Sequence, residues 1–77
     1  MKIKIITFGK IADFLENQHI ELNDVRTTDE LQDFLETSYP ILKTMKYKVA
    51  LNKCIVQSSL ELADSDTVAI MSPFSGG

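Results

Sequence analysis

A lone cysteine, Cys54, leaves no internal disulfide to staple this chain. With a single histidine, His19, as its only companion, it also rules out a structural zinc site or a cysteine-ligated iron–sulfur cluster within one copy. The eight basic residues are scattered without a cluster and are outnumbered by eleven acidic ones, giving a net charge of −3, which argues against nucleic acid as a partner. No apolar run approaches the roughly 20 residues of a membrane span. The amino terminus opens on a strand-like pattern without a signal-peptide core, so a cytoplasmic protein with no membrane partner is expected. The usual catalytic signatures are missing as well: no GxSxG, no P-loop, no GxGxxG and no sensibly placed Cys–His pair. Asp64 and Asp66 flank Ser65 in a pattern that reads as turn chemistry rather than as a metal or acid–base pair, and no metal site is expected. No linker, internal repeat or low-complexity segment interrupts the chain.

What remains is a 77-residue chain, 44% apolar, long enough for one domain with one modest core. In Met1 to Phe8 the residues Ile3 and Ile5 alternate with Lys2 and Lys4, the period of two of a half-buried strand. Lys10 to Glu16 carries Ile11, Phe14 and Leu15 at i, i+3, i+4, predicting a short helix with Asn17 as a left-handed stop. Gln18 to Leu22 predicts a second strand. Thr27 and Glu30 have the spacing of a capping box, and Leu31, Phe34 and Leu35 give the helix it opens an apolar stripe. That helix should end near Tyr39, ahead of Pro40, and Ile41, Leu42 and Met45 suggest one more helical turn. Tyr47 to Leu51 and Cys54 to Gln57 read as a hairpin turning at Asn52-Lys53, with Cys54 as buried filler. Ser58 to Leu62 is irregular with Leu60 and Leu62 buried, Asp64-Ser65-Asp66 is a turn, and Thr67 to Ser72 is the last strand. The expected fold is α+β: a mixed five-stranded sheet with one main helix and short extra helices, the arrangement of a β-grasp, or ubiquitin-like, domain.

Strand parity exposes an unusual surface. If Ile3 and Ile5 face the core, Ile6 and Phe8 face away; likewise Ala69 and Met71 oppose Val68 and Ile70, and Ile55 opposes Val56. Phe8, Ile55 and Met71, with Ile6, would form an exposed apolar patch suited to a protein partner. The division of the chain is a domain over 1–72 and an extended tail over 73–77: Pro73, Phe74, Ser75, Gly76 and Gly77. Pro73 cannot donate to a strand ladder, so pairing should stop there. From Ser72 onward the chain can reach roughly 20 Å. Two terminal glycines can enter a slot that any Cβ would block, and the group they would deliver is the Gly77 carboxylate. A passive chain end is the plain alternative.

The sequence resembles the sulfur-carrier (small) subunit family of molybdopterin synthase, within the ubiquitin-like sulfur carriers. The similarity runs through Phe8-Gly9-Lys10-Ile11-Ala12-Asp13-Phe14-Leu15, Val49-Ala50-Leu51-Asn52 with Ile55-Val56, Leu62-Ala63-Asp64-Ser65-Asp66-Thr67-Val68-Ala69, and Pro73-Phe74-Ser75-Gly76-Gly77. Ser65 stands where the family usually has glycine, and Ser72 replaces one of two common tail prolines.

The resemblance implies a mechanism. An adenylating enzyme akin to ubiquitin-activating enzymes, using ATP and magnesium, would activate Gly77. A sulfur donor protein would convert it to a thiocarboxylate, and the tail would enter the active site of the large, catalytic synthase subunit. There the sulfur would pass to the cyclic pyranopterin monophosphate precursor of the molybdenum cofactor. Phe8, Ile55 and Met71 match partner-binding positions of the family, Gly77 is the acyl site, and Gly76 permits entry. The resemblance further implies a heterotetramer and no cofactor bound by this chain itself. A thiamine-type sulfur carrier and a ubiquitin-like protein modifier are the competing readings. The thiamine type runs from its first strand to its second through a tight turn, whereas residues 10–16 here read as a helix.

Overall fold

The computed structural model describes residues 1–72, and the tail residues Pro73, Phe74, Ser75, Gly76 and Gly77 lie outside it. Strand β1 (Lys2–Phe8) leads through a 3₁₀ turn (Gly9–Asp13) into β2 (Gln18–Glu21). Helix α1 (Thr28–Ser38) and a second 3₁₀ turn (Pro40–Thr44) follow. Strands β3 (Lys48–Leu51), β4 (Cys54–Ile55) and β5 (Thr67–Met71) complete one sheet of order β2-β1-β5-β3-β4. The first and last strands lie side by side and parallel at its centre, with Ile5 opposite Val68 and Phe8 opposite Met71. The other neighbours pair antiparallel.

Period-two alternation sends Ile3, Ile5, Val49, Val68 and Ile70 to one face, where Leu31 and Leu35 of α1 meet them. Ile11, Leu15, Leu22 and Leu42 close the margins of this core. Each fully buried Ile or Leu contributes about 1.5–3 kcal/mol from area removed from water. The capping threonine is confirmed: Thr27 Oγ1 accepts from the Glu30 N–H at 3.2 Å. The Glu30 carboxylate accepts from the Arg26 N–H at 2.8 Å, one residue earlier than a capping box requires. The helix stops at Tyr39, before Pro40, as the proline dictates.

Several expectations are corrected. Residues 10–16 do not form an α-helix. Gly9 enters at φ 66, the 3₁₀ turn ends at Asp13, and five residues are too few to repay α-helix nucleation. Ile11 and Leu15 nonetheless reach the core, while Phe14 is only partly buried and packs against Tyr39, ring centroids 6.2 Å apart. Asn17 is not left-handed. Pairing with β2 ends at Ile5–Gln18, so the Thr7 N–H has no strand partner there, and the Asn17 side-chain oxygen accepts from it at 2.8 Å. Phe34 is 40% exposed, because the helix stripe is satisfied by Leu31 and Leu35 alone. Leu60 is 39% exposed: its backbone is tied to the helix start by Thr28 N–H to its carbonyl (2.8 Å) and by its own N–H to Thr28 Oγ1 (3.0 Å), which leaves the side chain outward. Cys54 is exposed rather than filler, since β4 is a two-residue edge strand.

The turn before β5 holds Ser65 at φ 72, the left-handed region that glycine enters without Cβ strain. The Ser65 N–H donates to the Lys2 carbonyl and the Lys2 N–H to Asp64 Oδ1, so the turn is locked to the start of β1. Ser65→Gly is expected to raise the unfolding free energy by about 0.5 kcal/mol, the relieved strain exceeding the added chain entropy, and Ser65→Val to lower it by about 1 kcal/mol or more. Urea titration followed by circular dichroism measures both.

Candidate functional site

The face of the sheet opposite α1 has no described element over it. Sheet register builds it in rows. Ile6, Ala69, Ala50 and Ile55 stand side by side across β1, β5, β3 and β4. The next row is Phe8, Met71 and Lys48. Small side chains at the centre and large ones around them leave a trough of about 570 Å³, floored by Ala50 and Ala69 and walled by Ile6, Phe8, Ile55 and Met71, with Lys4 and Lys53 at its margin. Phe8 is 48% and Ile55 50% exposed. Folding therefore leaves two large apolar side chains half in water on one face, the mark of a surface that a partner covers.

All three expected partner-binding residues, Phe8, Ile55 and Met71, lie on this trough. The parallel pairing of Phe8 with Met71 also fixes where the chain leaves the sheet: β5 ends at Met71, opposite Phe8 of β1. Gly77 and the rest of the expected tail lie outside the described residues, so the geometry on view is that of the exposed apolar face and of the end of β5.

The β3–β4 hairpin that presents Ile55 is held by a local network. Asn52 and Lys53 take φ 49 and φ 75, the paired left-handed geometry of a tight two-residue hairpin. Asn52 Oδ1 accepts from the Thr67 N–H at 2.9 Å, and Asn52 Nδ2 donates to Asp66 Oδ1 at 3.0 Å. Asp66 Oδ2 in turn accepts from the Ala63 N–H at 2.8 Å. One side chain thus ties the hairpin that carries Ile55 to β5. Sequence reading placed Asn52 in the turn without its bracing role; the signal was an Asn at a position needing φ > 0, with a carboxylate in the next turn. It also passed over Ala50 as floor and Lys4, Lys48 and Lys53 as rim, although parity with Ile6, Phe8 and Ala50 puts Lys4 and Lys48 on the same face.

Other polar features lie elsewhere. Tyr47 donates to the Glu36 carboxylate, tying α1 to the start of β3, and burial first, then that hydrogen bond, pushes its hydroxyl above the ordinary tyrosine range. Among the described residues no cluster of His, Cys, Asp and Glu is arranged to hold a metal ion. Nor, among them, is any helix long and apolar enough to cross a membrane.

Comparison with known proteins relates the chain to one family and to solved structures of the same fold. The profile of the ThiS family matches residues 5–77. SAMP1 from Haloferax volcanii is 18% identical over the whole of both chains, with a TM-score of 0.78, a likeness of fold. A chain of the complex of subunits 1 and 2 of the molybdopterin-converting factor from Helicobacter pylori 26695 is 26% identical, again over the whole of both chains, with a TM-score of 0.73. The sheet with its single main helix is the ubiquitin-like β-grasp.

If the trough serves a partner and not the fold, its walls are dispensable for folding. Phe8→Ser and Ile55→Ser are each expected to cost about 1 kcal/mol of stability or less, against about 3 kcal/mol for the core change Ile5→Ala. Chemical denaturation of the three variants checks the contrast.

Proposed function

The chain belongs to the ThiS family of ubiquitin-like sulfur carriers, and on that footing we propose that it carries sulfur for molybdenum cofactor biosynthesis as the small subunit of molybdopterin synthase. The observation that carries the proposal is the bare apolar trough with β5 ending at its rim, a docking face beside the point from which a tail would be delivered. Two features support the molybdopterin branch. One is the full-length likeness to a chain of the molybdopterin-converting factor complex. The other is the segment between β1 and β2, which is no tight turn: it holds a 3₁₀ turn and sends Ile11 and Leu15 into the core.

The chemistry follows from what a carboxylate lacks. It is a poor electrophile, so the Gly77 carboxylate must first take AMP from ATP, with magnesium, on a ubiquitin-activating-like enzyme, pyrophosphate leaving. The persulfide sulfur of a donor protein then displaces AMP, and a thiol cleaves the resulting S–S bond to leave the Gly77 thiocarboxylate. The carrier seats Phe8, Ile55 and Met71 on the large subunit. Pro73, Phe74 and Ser75 span the approach, and Gly76, with no Cβ, lets the end enter a narrow slot. There the thiocarboxylate sulfur attacks the cyclic pyranopterin monophosphate precursor, and two such transfers build the dithiolene. The large subunit supplies the acid–base groups, this chain supplies the nucleophile, and the working assembly is a cytoplasmic heterotetramer of two small and two large subunits.

Incubation with the adenylating enzyme, ATP, magnesium and a persulfide donor should raise the intact mass by the exchange of one oxygen for sulfur. Deleting Gly77, or adding one residue after it, should abolish that gain with an unchanged circular dichroism spectrum. An extended chain that still supports cofactor synthesis without being trimmed contradicts the mechanism. Phe8→Asp should weaken the complex with the large subunit by about 2 kcal/mol or more, because it buries an unpaired charge. Unchanged affinity by titration calorimetry removes Phe8 from the interface.

A further inference from the structure

The chain is acidic as a whole, with a net charge of −3, but its docking face is not. Lys4 and Lys53 border the trough, and Lys48 stands next to Met71 in register. All three are exposed, and none makes an ion pair with another described residue. Among the described residues no carboxylate lines the trough itself, although Asp66 adjoins its Lys4 end, where its carbonyl accepts from the Lys4 N–H at 2.9 Å. Asp29, Glu30, Asp33 and Glu36 belong to α1, which packs on the opposite face. Glu21 lies on β2, at the far edge of the sheet, and holds the amino-terminal ammonium at 3.3 Å. Asp64 and Asp66 accept from the Lys2 and Ala63 N–H groups and from the Asn52 amide. The helix carboxylates lie across the sheet, so a partner approaching the trough meets the lysines first.

We propose that Lys4, Lys48 and Lys53 form an electrostatic rim to the docking face, and that the partner it fits is a protein whose apolar ridge is bordered by carboxylates. The proposal rests on the sulfur-carrier reading, in which that partner is the large synthase subunit. Exposed lysines contribute little to affinity once docked, since their ammonium groups stay hydrated. Their effect is on encounter: they steer an acidic carrier onto an acidic partner through one face only and set its orientation. The three lysines stand apart around the trough, a layout that suits separate carboxylates better than a phosphate run.

Stopped-flow association of the full chain with the large subunit tests this at about 20 mM and about 0.5 M salt. The combined variant Lys4→Gln, Lys48→Gln, Lys53→Gln should associate about tenfold more slowly at low salt and lose most of its salt dependence. The matched three-charge control Lys10→Gln, Arg26→Gln, Lys43→Gln, none of which lines the trough, should change the rate by less than about twofold. Each single rim variant, slowed about twofold, gives the same answer if the combined one folds poorly. A combined variant with the wild-type rate and salt slope overturns the rim, as does a control slowed equally. If the wild type associates, Phe8→Asp abolishes association and the rim variants do not alter it, the rim falls and the carrier reading stands. If the wild type does not associate at all, both fall together. Retention of the wild type on phosphatidylserine vesicles, lost in the combined variant, would assign the lysines to a membrane and overturn the proposal.

Discussion

A sheet of five strands has two faces, and the described residues build one α-helix to cover them. Helix α1 takes the side of Ile3, Ile5, Val68 and Ile70, and the 3₁₀ turns close that core at its margins with Ile11 and Leu42. Nothing described lies over the other side, where Ile6, Phe8, Ile55 and Met71 surround two alanines. Because strand residues alternate strictly, burying the first set commits the second to the outside. The core and the open apolar face are thus two outcomes of one alternation, and neither can be changed in register without inverting the other.

The parallel pairing of the first and last strands converts this constraint into a delivery geometry. It ends β5 beside Phe8, so whatever follows Met71 departs from the edge of the trough. The hairpin that carries Ile55 is short, and a two-residue β4 could not hold its own position. Asn52 does so, its amide bridging to Thr67 and Asp66. The carboxylates of α1 lie behind the sheet, and Lys4, Lys48 and Lys53 stand at its open face. The fold therefore sets a helix-covered core behind an open apolar face bordered by lysines.

The face was legible in the sequence because period two survives in the strands: Ile3 and Ile5 against Ile6 and Phe8, Val68 and Ile70 against Ala69 and Met71. The helix was legible at both ends, from the Thr27 cap and from Pro40. Legibility failed where local pattern competes with tertiary context. The Ile11, Phe14, Leu15 spacing suggested an α-helix, but Gly9 and the short reach to β2 allow only a 3₁₀ turn. Asn17 had the composition of a helix stop, yet its oxygen is taken by a strand N–H that lacks a neighbour. Leu60, Phe34 and Cys54 are apolar residues whose backbones are fixed by other contacts or by edge position, so hydrophobicity alone misjudged them. Lys4 and Lys48 carried the right parity and went unread because scattered lysines look like ordinary solvated surface until register aligns them.

The central claim is that sulfur leaves the Gly77 thiocarboxylate only when this face is seated on the large synthase subunit. The direct test mixes thiocarboxylated chain with the large subunit and cyclic pyranopterin monophosphate, and follows the carrier's intact mass alongside the dithiolene product. The predicted result is return of Gly77 to a carboxylate in step with molybdopterin formation, two carriers discharged per product, and no discharge when Phe8 is replaced by Asp. Persistence of the thiocarboxylate beside active large subunit and precursor, or equal discharge by the Phe8→Asp chain, would contradict it.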